Sequence, residues 1–290
     1  MAGAWLEVEQ VLDREEALAL RRETEAELGN PKFVEKVAQA MAAGELRYEG
    51  KVLFLLGPSA AGKSTALAEG WLKVPSGAMV VDGNTIRQQS ESWQKVADLA
   101  RARGLAGLSD YFEDYFKTPM DKVKKMILRD AIRRQTNVIV PDTASDFSGT
   151  KATMQKFIDA GYSLSFSAVY GDEAVILGRG KARATEDGKQ FTGKNWRKSV
   201  QTILSLQDHL EETGLIADSG SVQVLDNSET KMRPMSLPEL RRRLREPEAK
   251  QFVPFRDLIQ CFLPIFQRCF SWMTVSLRAR SNSMSMPGPS

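Results

Sequence analysis

The stretch KVLFLLGPSAAGKSTALAEG, Lys51–Gly70, decides the fold of this chain. Its first six residues form an apolar run without alternation, which is typical of a strand covered on both faces. The next segment, GPSAAGKS, has the spacing G-x-x-x-x-G-K-[ST], and a helical pattern follows it. A glycine-rich turn between a buried strand and a helix is the context of a phosphate-binding loop. The sequence therefore predicts a nucleoside triphosphate site.

Each residue type in this loop has a physical role. Glycines let the backbone aim several N–H groups inward, and the following helix adds its partially positive N-terminus. Lys63 can reach the β- and γ-phosphates, and the Ser64 hydroxyl can ligate Mg²⁺. The predicted nucleotide-binding residues are Gly57, Pro58, Ser59, Ala60, Ala61, Gly62, Lys63, Ser64 and Thr65.

Strand-like and helix-like segments alternate along the chain, which predicts an α/β fold, the three-layer P-loop NTPase fold with a mainly parallel sheet. The predicted strands are KVLFLL, AMVVD, NVIVPD, SLSFSAVY and VQVLD. Two helices are expected within residues 4–45 as a helical N-terminal extension, 1–47. The kinase-like domain is expected at 48–248, and a partly disordered tail of changed composition at 249–290.

Composition excludes several function classes. A net charge of +3 and a pI of about 8.8 are too mild to indicate a nucleic-acid partner. The two cysteines, Cys261 and Cys269, argue against a disulfide framework, and the single histidine, His209, excludes Ser-His-Asp and Cys-His chemistry. No secretory signal or transmembrane helix is expected, so the predicted location is cytoplasmic.

The strand ends predict where phosphoryl chemistry takes place. Guanine-recognition, switch and transporter signatures are missing from the sequence, which favours a kinase among P-loop proteins. A kinase needs a carboxylate near the γ-phosphate, and parallel strands present their carboxyl ends to the ligand. Asp82 and Asp142 end two predicted strands. Either can serve the Mg²⁺ or the acceptor hydroxyl, or can instead cap the next element.

The segment GRGKARATEDGKQFTGKNW, 178–196, is the predicted lid. Its glycines permit movement, and its cations suit a phosphate clamp. A solvated basic loop is the competing interpretation. The cations are Arg179, Lys181, Arg183 and Lys189.

Two further segments have a plain and a functional interpretation. Tyr111 and Tyr115 in DYFEDYF, 110–116, can line an acceptor pocket or pack in the core, and their residue type favours the core. The basic helix that follows can bind nucleic acid or form a solvated face. Its interspersed aspartates favour the solvated face.

With these residues in view, the chain resembles the zeta toxin-type P-loop kinases, from about Gly57 to about Leu225. NTIRQQ directly after VVDG is the sharpest match. NVIVPDTAS is similar to the family's third strand and substrate loop, with Thr143 at a matching threonine, and Arg179 in GRGKAR matches a lid arginine. The resemblance implies ATP-dependent phosphorylation of a hydroxyl, in bacterial members on the sugar of a UDP-activated amino sugar.

The chain departs from the family pattern at three places. Asn84 stands at the catalytic aspartate, two residues after Asp82, and an amide cannot act as a base. The substrate-loop acid falls at Pro141 or, shifted by one, at Asp142. The second lid arginine has no clean match, and Lys189 is the nearest cation.

Together these observations predict a phosphotransferase that uses ATP and Mg²⁺ to phosphorylate a hydroxyl of a small molecule. A regulatory protein partner is also expected. A polynucleotide 5′-hydroxyl kinase and a catalytically impaired ATP-binding scaffold are the alternatives. The predicted catalytic residues are Lys63, Asp82, Arg179 and Arg183. The predicted substrate-binding residues are Asn84, Arg87, Asp142 and Thr143, and the predicted metal ligands are Ser64 and Asp142.

Overall fold

A mainly parallel sheet, helices on its faces and a separate strand pair make up the fold. The computed structural model describes residues 3–42, 44–214, 222–229 and 231–245. The strands are β1 (Ala4–Leu6), β2 (Lys51–Leu56), β3 (Met79–Val80), β4 (Leu105–Leu108), β5 (Val138–Asp142), β6 (Ser163–Tyr170), β7 (Val222–Asp226) and β8 (Arg233–Met235). The helices are α1 (Val8–Val11), α2 (Arg14–Gly29), α3 (Pro31–Met41), α4 (Lys63–Ala68), α5 (Gly83–Gln89), α6 (Glu91–Ala102), α7 (Lys117–Arg133), α8 (Phe147–Asp159), α9 (Glu173–Asp187), α10 (Trp196–Glu212) and α11 (Leu237–Arg245), with a π-helix, π1, at Tyr111–Phe116.

The strand order β3-β5-β2-β6-β7-β8 puts β2 near the centre of the sheet. Every pair from β3 to β7 is parallel, and β8 joins β7 antiparallel at the edge. Residues 52–56 of β2 are fully buried, because helices cover both faces. The predicted α/β class and all five predicted strands are confirmed. Three strands, β1, β4 and β8, were not predicted.

The N-terminal segment corrects one sequence expectation. Ala4–Leu6 is a strand that pairs in parallel with Leu105–Leu108 in a second, two-stranded sheet. Asp13 then caps α2 by accepting hydrogen bonds from two backbone N–H groups, so α1 and α2 are two separate helices. The prediction of only two helices in residues 4–45 is therefore wrong at its start. The predicted Asn30 cap before Pro31 is present, with Asn30 accepting from the Lys32 N–H.

The N-terminal helices belong to the same compact unit as the sheet. Residues 1–241 form this unit, in which α2 packs against α6 and α7. The boundaries at 47/48 and 248/249 stay predictions, and the predicted tail with its two cysteines lies outside the described residues. Within the described ranges, no helix is long and apolar enough to cross a membrane.

The aromatic segment around π1 packs mainly in the core. Tyr111 is 2 % exposed, and its hydroxyl lies 3.0 Å from the Thr24 hydroxyl on α2. The ring of Trp93 lies 4.9 Å from that of Phe116 and 5.5 Å from that of Tyr111. The structure thus agrees with the core interpretation of DYFEDYF.

Cations at both ends of the basic helix α7 pair with neighbouring carboxylates. Lys117 pairs with Glu113 at 2.6 Å, and Arg133 and Arg134 both pair with Asp130, at 2.6 and 2.9 Å. These exposed pairs add little to stability, but they lower the net positive charge at the ends of the helix. The geometry fits a solvated helix face.

Candidate active site

The phosphate loop follows β2 and has the backbone geometry that a close-lying phosphate requires. Gly57, Ala60 and Gly62 have φ angles of 156°, 66° and 97°, which bend the chain around the start of α4. A Cβ at Gly57 would collide with the carbonyl oxygen of Val169, and one at Gly62 with the side chain of Asn227. Backbone angles therefore favour glycine at both motif positions, and at 57 the neighbouring backbone also leaves no space for a side chain. A loop built in this way fits the phosphates of ATP, which the sequence predicts as the nucleotide.

Lys63 lies over the loop that precedes it. Its ammonium donates hydrogen bonds to the carbonyl oxygens of Gly57, at 2.6 Å, and Pro58, at 3.0 Å. Burial lowers the pKa of Lys63 from 10.5 to about 8, and the charges of Asp142 and Asp82 partly oppose this shift. Both predicted aspartates are thus close enough to act on the lysine of the phosphate loop.

The lowered pKa of Lys63 predicts that ATP affinity falls as the pH rises above about 8. The phosphates bind the charged ammonium, so each further pH unit should weaken binding by up to about tenfold. Between pH 8 and 10.5 the unfolded chain holds more protons at this group, so the folded state gains stability over the same window. Titration calorimetry with ATP and Mg²⁺ from pH 7.5 to 9.5 measures the affinity.

Lys63→Arg is the control for this pH dependence, since a guanidinium keeps its charge throughout the range. The fall in affinity should disappear in that variant. If it persists, the titrating group is another one, and the prediction for Lys63 is wrong.

Asp82 and Asp142 lie at the carboxyl edge of the sheet, two residues after β3 and at the end of β5. Asp82 caps α5, with its Oδ1 accepting from the Asn84 N–H at 3.2 Å. Asp142 is the last residue of β5, and its Oδ1 accepts from the Ala144 N–H at 2.7 Å. In each carboxylate, the capping role therefore occupies one oxygen, Oδ1. Among the described residues, none donates a hydrogen bond to Oδ2 of either aspartate, so each keeps an oxygen for Mg²⁺ or an acceptor.

Other residues predicted to bind the nucleotide, the metal or the substrate have exposed side chains. Ser64 and Thr65 lie in the first turn of α4 and are exposed, as a metal-binding or phosphate-binding hydroxyl has to be. The hydroxyl of Thr143 lies 3.2 Å from that of Ser145 in an exposed turn after β5. Ser64 and Asp142 are the side chains that would hold Mg²⁺, which hard oxygen donors suit.

The structure places Arg179 differently from the other lid cations. Its guanidinium donates to the carbonyl oxygens of Asn227, at 2.7 Å, and Glu229, at 3.3 Å, in the loop after β7. Asn227 in turn donates to the carbonyl oxygen of Ala61 in the phosphate loop, at 2.9 Å. Arg179 therefore supports the phosphate loop through Asn227. Sequence reasoning missed Asn227, although its place directly after the strand VQVLD was a usable signal.

A second group of cations gathers around Asn84. The Oδ1 atom of Asn84 accepts from Arg87 at 2.8 Å and from Arg183 at 3.4 Å. Asp187 pairs with Arg183 at 2.6 Å and lies 4.0 Å from Arg87. Arg87 is only 8 % exposed, and burial lowers its pKa. The predicted substrate residues Asn84 and Arg87 and the predicted catalytic Arg183 thus meet in one cluster.

Lys189 belongs to the same cluster and lies over an aromatic ring. Its ammonium lies 3.6 Å from the centroid of Phe112, and the Arg87 guanidinium lies 5.8 Å from the same ring. Burial and the charges of Arg87 and Arg183 lower the pKa of Lys189 to about 8, while Glu113 partly opposes them. Phe112 of DYFEDYF therefore contacts the cations of the candidate site.

The predicted lid is more regular than expected. The helix α9 continues to Asp187, so Gly178 and Gly180 lie inside a helix and supply no flexible hinge. Gly188 ends the helix with a φ of 65°, and the loop 188–195 follows. The expectation that all the lid glycines permit movement is wrong for these two, because Gly180 is needed to let Phe191 of that loop pack on the helix.

Gly180→Ala and Gly178→Ala should have opposite effects on stability. The new methyl at 180 would overlap the ring of Phe191, which we expect to cost about 1–3 kcal/mol of the free energy of unfolding. The same change at 178 meets open space and should add up to about 1 kcal/mol through helix propensity. Denaturant unfolding of the two variants measures both. Equal stabilities would mean that the loop 188–195 does not pack on α9.

Comparisons with known proteins concern the fold and the family of the chain. Residues 52–203 match the family described as an AAA domain, AAA_33, and no curated protein matches the chain by sequence. A solved structure of the PezAT chromosomal toxin–antitoxin system of Streptococcus pneumoniae has a TM-score of 0.54 at 14% identity, covering 75% of this chain and 82% of that one. A complex of AvrRxo1-ORF1 and AvrRxo1-ORF2 with ATP gives 0.47 at 12% identity, covering 77% and 67%.

The family match covers more than half of the chain and includes the phosphate loop, α5 and α9. The fold predicted from the sequence, and with it the resemblance to zeta toxin-type P-loop kinases at the level of fold and domain family, is confirmed. The chain has a P-loop kinase-like fold and belongs to the AAA domain family.

Proposed function

We propose that this protein is an ATP-dependent phosphotransferase that phosphorylates a hydroxyl of a small molecule, with sugars and nucleotide-sugars as the first candidates. One observation carries the proposal. The phosphate-loop lysine Lys63 and the carboxylates of Asp82 and Asp142 converge at one edge of the sheet. A phosphoryl transferase needs a cation for the transferred group and a carboxylate for the acceptor at one place.

Each residue of the site has its own role in the proposed reaction. Lys63 and the backbone N–H groups of the loop stabilise the charge on the β- and γ-phosphates. Ser64 and Asp142 would hold Mg²⁺, which would supply positive charge beside the transferred group. Asp82 orients the acceptor hydroxyl and takes its proton as the new oxygen–phosphorus bond forms and the bond to ADP breaks.

Asp82 is the better candidate for the base than its neighbour at the family's catalytic position. The amide of Asn84 has no basic oxygen for a proton, and its Oδ1 already accepts from two guanidinium groups. Asn84 links Arg183 to Asp82, since its N–H donates to Asp82 and its Oδ1 accepts from Arg183, and Arg183 is proposed as a second cation, beside Lys63, for the transferred phosphoryl group. The role proposed for Arg179 is to hold the loop around Asn227 in place.

The test is ADP formation from ATP and Mg²⁺ against a panel of sugars, nucleosides and UDP-sugars. At least one acceptor should raise the rate well above that without acceptor, and the phosphorylated product should appear in equal amount. Lys63→Ala is the negative control. If every acceptor leaves the rate unchanged, the proposal of a small-molecule kinase is wrong.

An ATP-binding scaffold is the second candidate, because Asn84 replaces the carboxylate that the family uses. The structural relative in the PezAT toxin–antitoxin system supports the added proposal that a regulatory protein binds this chain. Tight ATP binding without transfer to any acceptor, together with a protein that co-purifies with the chain, would favour the scaffold over the kinase.

Phosphorylation of a polynucleotide 5′-hydroxyl has less support. It needs a basic groove, whereas three cations at the ends of α7 pair with Glu113 and Asp130; these cations are Lys117, Arg133 and Arg134. We propose that the protein works in the cytoplasm, where ATP and Mg²⁺ are plentiful.

A further inference from the structure

One lysine of the basic helix α7 faces the carboxyl edge of the sheet instead of solvent. The side chain of Lys124 is half-buried, whereas the other cations of α7 and its C-cap are exposed. The exposed ones are Lys117, Lys122, Lys125, Arg129, Arg133 and Arg134. Lys124 lies one turn after the buried Met120, on the same helix face. The sulfur of Met120 is so close to Gly83 of α5 that a Cβ there would lie 3.0 Å from it.

The ammonium of Lys124 lies beside the strand end that borders the phosphate loop. It donates a long hydrogen bond, 3.5 Å, to the carbonyl oxygen of Pro141 in β5. The next residue, Asp142, accepts at its backbone oxygen from the N–H of Gly57, the first residue of the loop, at 3.2 Å. Lys124 is therefore linked to the start of the phosphate loop through two consecutive residues of β5.

This ammonium keeps hydrogen-bonding capacity for a ligand. A lysine has three N–H donors, and the bond to Pro141 is longer than the usual range of about 2.7–3.2 Å. In the described ranges, no carboxylate lies within 4.0 Å of it. A half-buried cation without a close counterion gains free energy when an anion joins it.

The charges that act on Lys63 agree with this position. The charge of Lys124 lowers the pKa of Lys63, as the charge of Arg183 does, whereas Asp142 and Asp82 raise it. Lys124 thus acts on the phosphate loop from α7, and Arg183 acts on it from α9.

The strand order places Lys124 on the acceptor side of the phosphate loop. In the order β3-β5-β2-β6-β7, the strands β5 and β3 lie on one side of β2, with Asp142 and Asp82 at or after their ends. Asn227, which donates to Ala61 of the loop, follows β7 on the other side. Transfer to an acceptor beside Asp82 requires the γ-phosphate to point toward β5 and β3. Lys124 lies on that side.

We propose that Lys124 binds the γ-phosphate of ATP and gives the site its preference for ATP over ADP. On binding, the ammonium exchanges its long bond to the Pro141 carbonyl for a charge-assisted bond to a γ-phosphate oxygen. The contact rests on the proposed function for the direction of the γ-phosphate, and it adds a cation from a helix that otherwise presents its charges to solvent.

Calorimetric titration of the full chain with β,γ-imido-ATP and with ADP, each with Mg²⁺, tests this contact. Lys124→Met should weaken the binding of β,γ-imido-ATP by about tenfold or more, because a charged donor to the γ-phosphate is lost. The affinity for ADP, which has no γ-phosphate, should stay nearly unchanged. An equal loss for both nucleotides, or no loss for either, would overturn the inference.

Lys125→Met is the matched control, because Lys125 is the next residue on α7 and is exposed. It removes the same charge from the same helix and should leave both affinities unchanged. If the two variants weaken β,γ-imido-ATP binding equally, general electrostatics explains the loss, and the assignment to Lys124 is wrong.

Lys124→Arg and the melting temperature separate a contact with the ligand from a structural role. Arginine keeps a positive charge and N–H donors, so it should retain most of the preference for β,γ-imido-ATP over ADP. Lys124→Met should melt close to the wild-type temperature, since the bond that it loses is long. A lower melting temperature together with weaker binding of both nucleotides would show a structural role and would overturn the inference.

The titration needs no acceptor, so the γ-phosphate contact and the proposed phosphoryl transfer can fail separately. If the wild type phosphorylates no acceptor but Lys124→Met still loses the preference for β,γ-imido-ATP, the kinase is refuted and the contact is supported. If transfer occurs and Lys124→Met keeps both the wild-type preference and the wild-type kcat, the contact is refuted and the kinase is supported.

Discussion

Asp82→Asn should lower the rate of phosphoryl transfer by a factor of about 10²–10⁴, the usual contribution of a general base. The substitution is a clean test, because asparagine caps helices about as well as aspartate. The Asn84 N–H that now bonds to Oδ1 of Asp82 keeps an acceptor, so α5 should stay in place. ATP affinity should change little, while kcat with the best acceptor of the panel should fall.

Asp13→Asn is the matched control for this substitution. Asp13 also caps a helix, α2, by accepting from the backbone N–H groups of Glu15 and Glu16, but it lies outside the candidate site. This variant should keep the wild-type rate and a similar melting temperature. A wild-type rate in Asp82→Asn as well, or a large loss in Asp142→Asn alone, would remove Asp82 from the role of base.

Lys63→Ala should lower ATP turnover by a factor of about 10²–10³, comparable with the loss of one preorganised donor to a developing anion. The ammonium is the charged side chain that the phosphate loop itself provides, and the loop carbonyls hold it in place. Steady-state kinetics over a range of ATP concentrations should show the loss in kcat and in kcat/KM.

Lys51→Ala tests whether the effect belongs to this lysine. Lys51 begins the strand that Lys63 follows, but it is exposed at the opposite end and pairs with Glu49 at 2.7 Å. Its removal should leave turnover unchanged. Were Lys63→Ala to retain wild-type turnover and ATP affinity, the phosphate loop would not be the nucleotide site.

The parts of the structure that the sequence predicted well depend on local signals. Lys51–Leu56 and Ser163–Tyr170 were predicted with the bounds that the structure has, since each is mostly apolar and has turn residues beside it. The phosphate loop was found because its spacing is a property of eight consecutive residues. The carboxyl-edge rule placed Asp82 and Asp142 near Lys63 before the fold was known.

The parts that were missed depend on contacts between distant residues. The strand pair Ala4–Leu6 and Leu105–Leu108 is too short for a periodic pattern and forms across some hundred residues. The link from Arg179 through Asn227 to the phosphate loop joins three separate segments. Gly180 was read as a hinge because a sequence does not reveal that the ring of Phe191 occupies the space beside it.

Gly107 on β4 connects the first residues of the chain to the end of α9. The ring of Trp5 and the carbonyl oxygen of Gly188 lie so close to Gly107 that a side chain there would meet both. Ala4–Leu6 pairs with the strand that carries Gly107, so we expect its removal to shift Gly188, the residue directly before Lys189. For anyone preparing this protein, an affinity tag is therefore better placed away from Trp5.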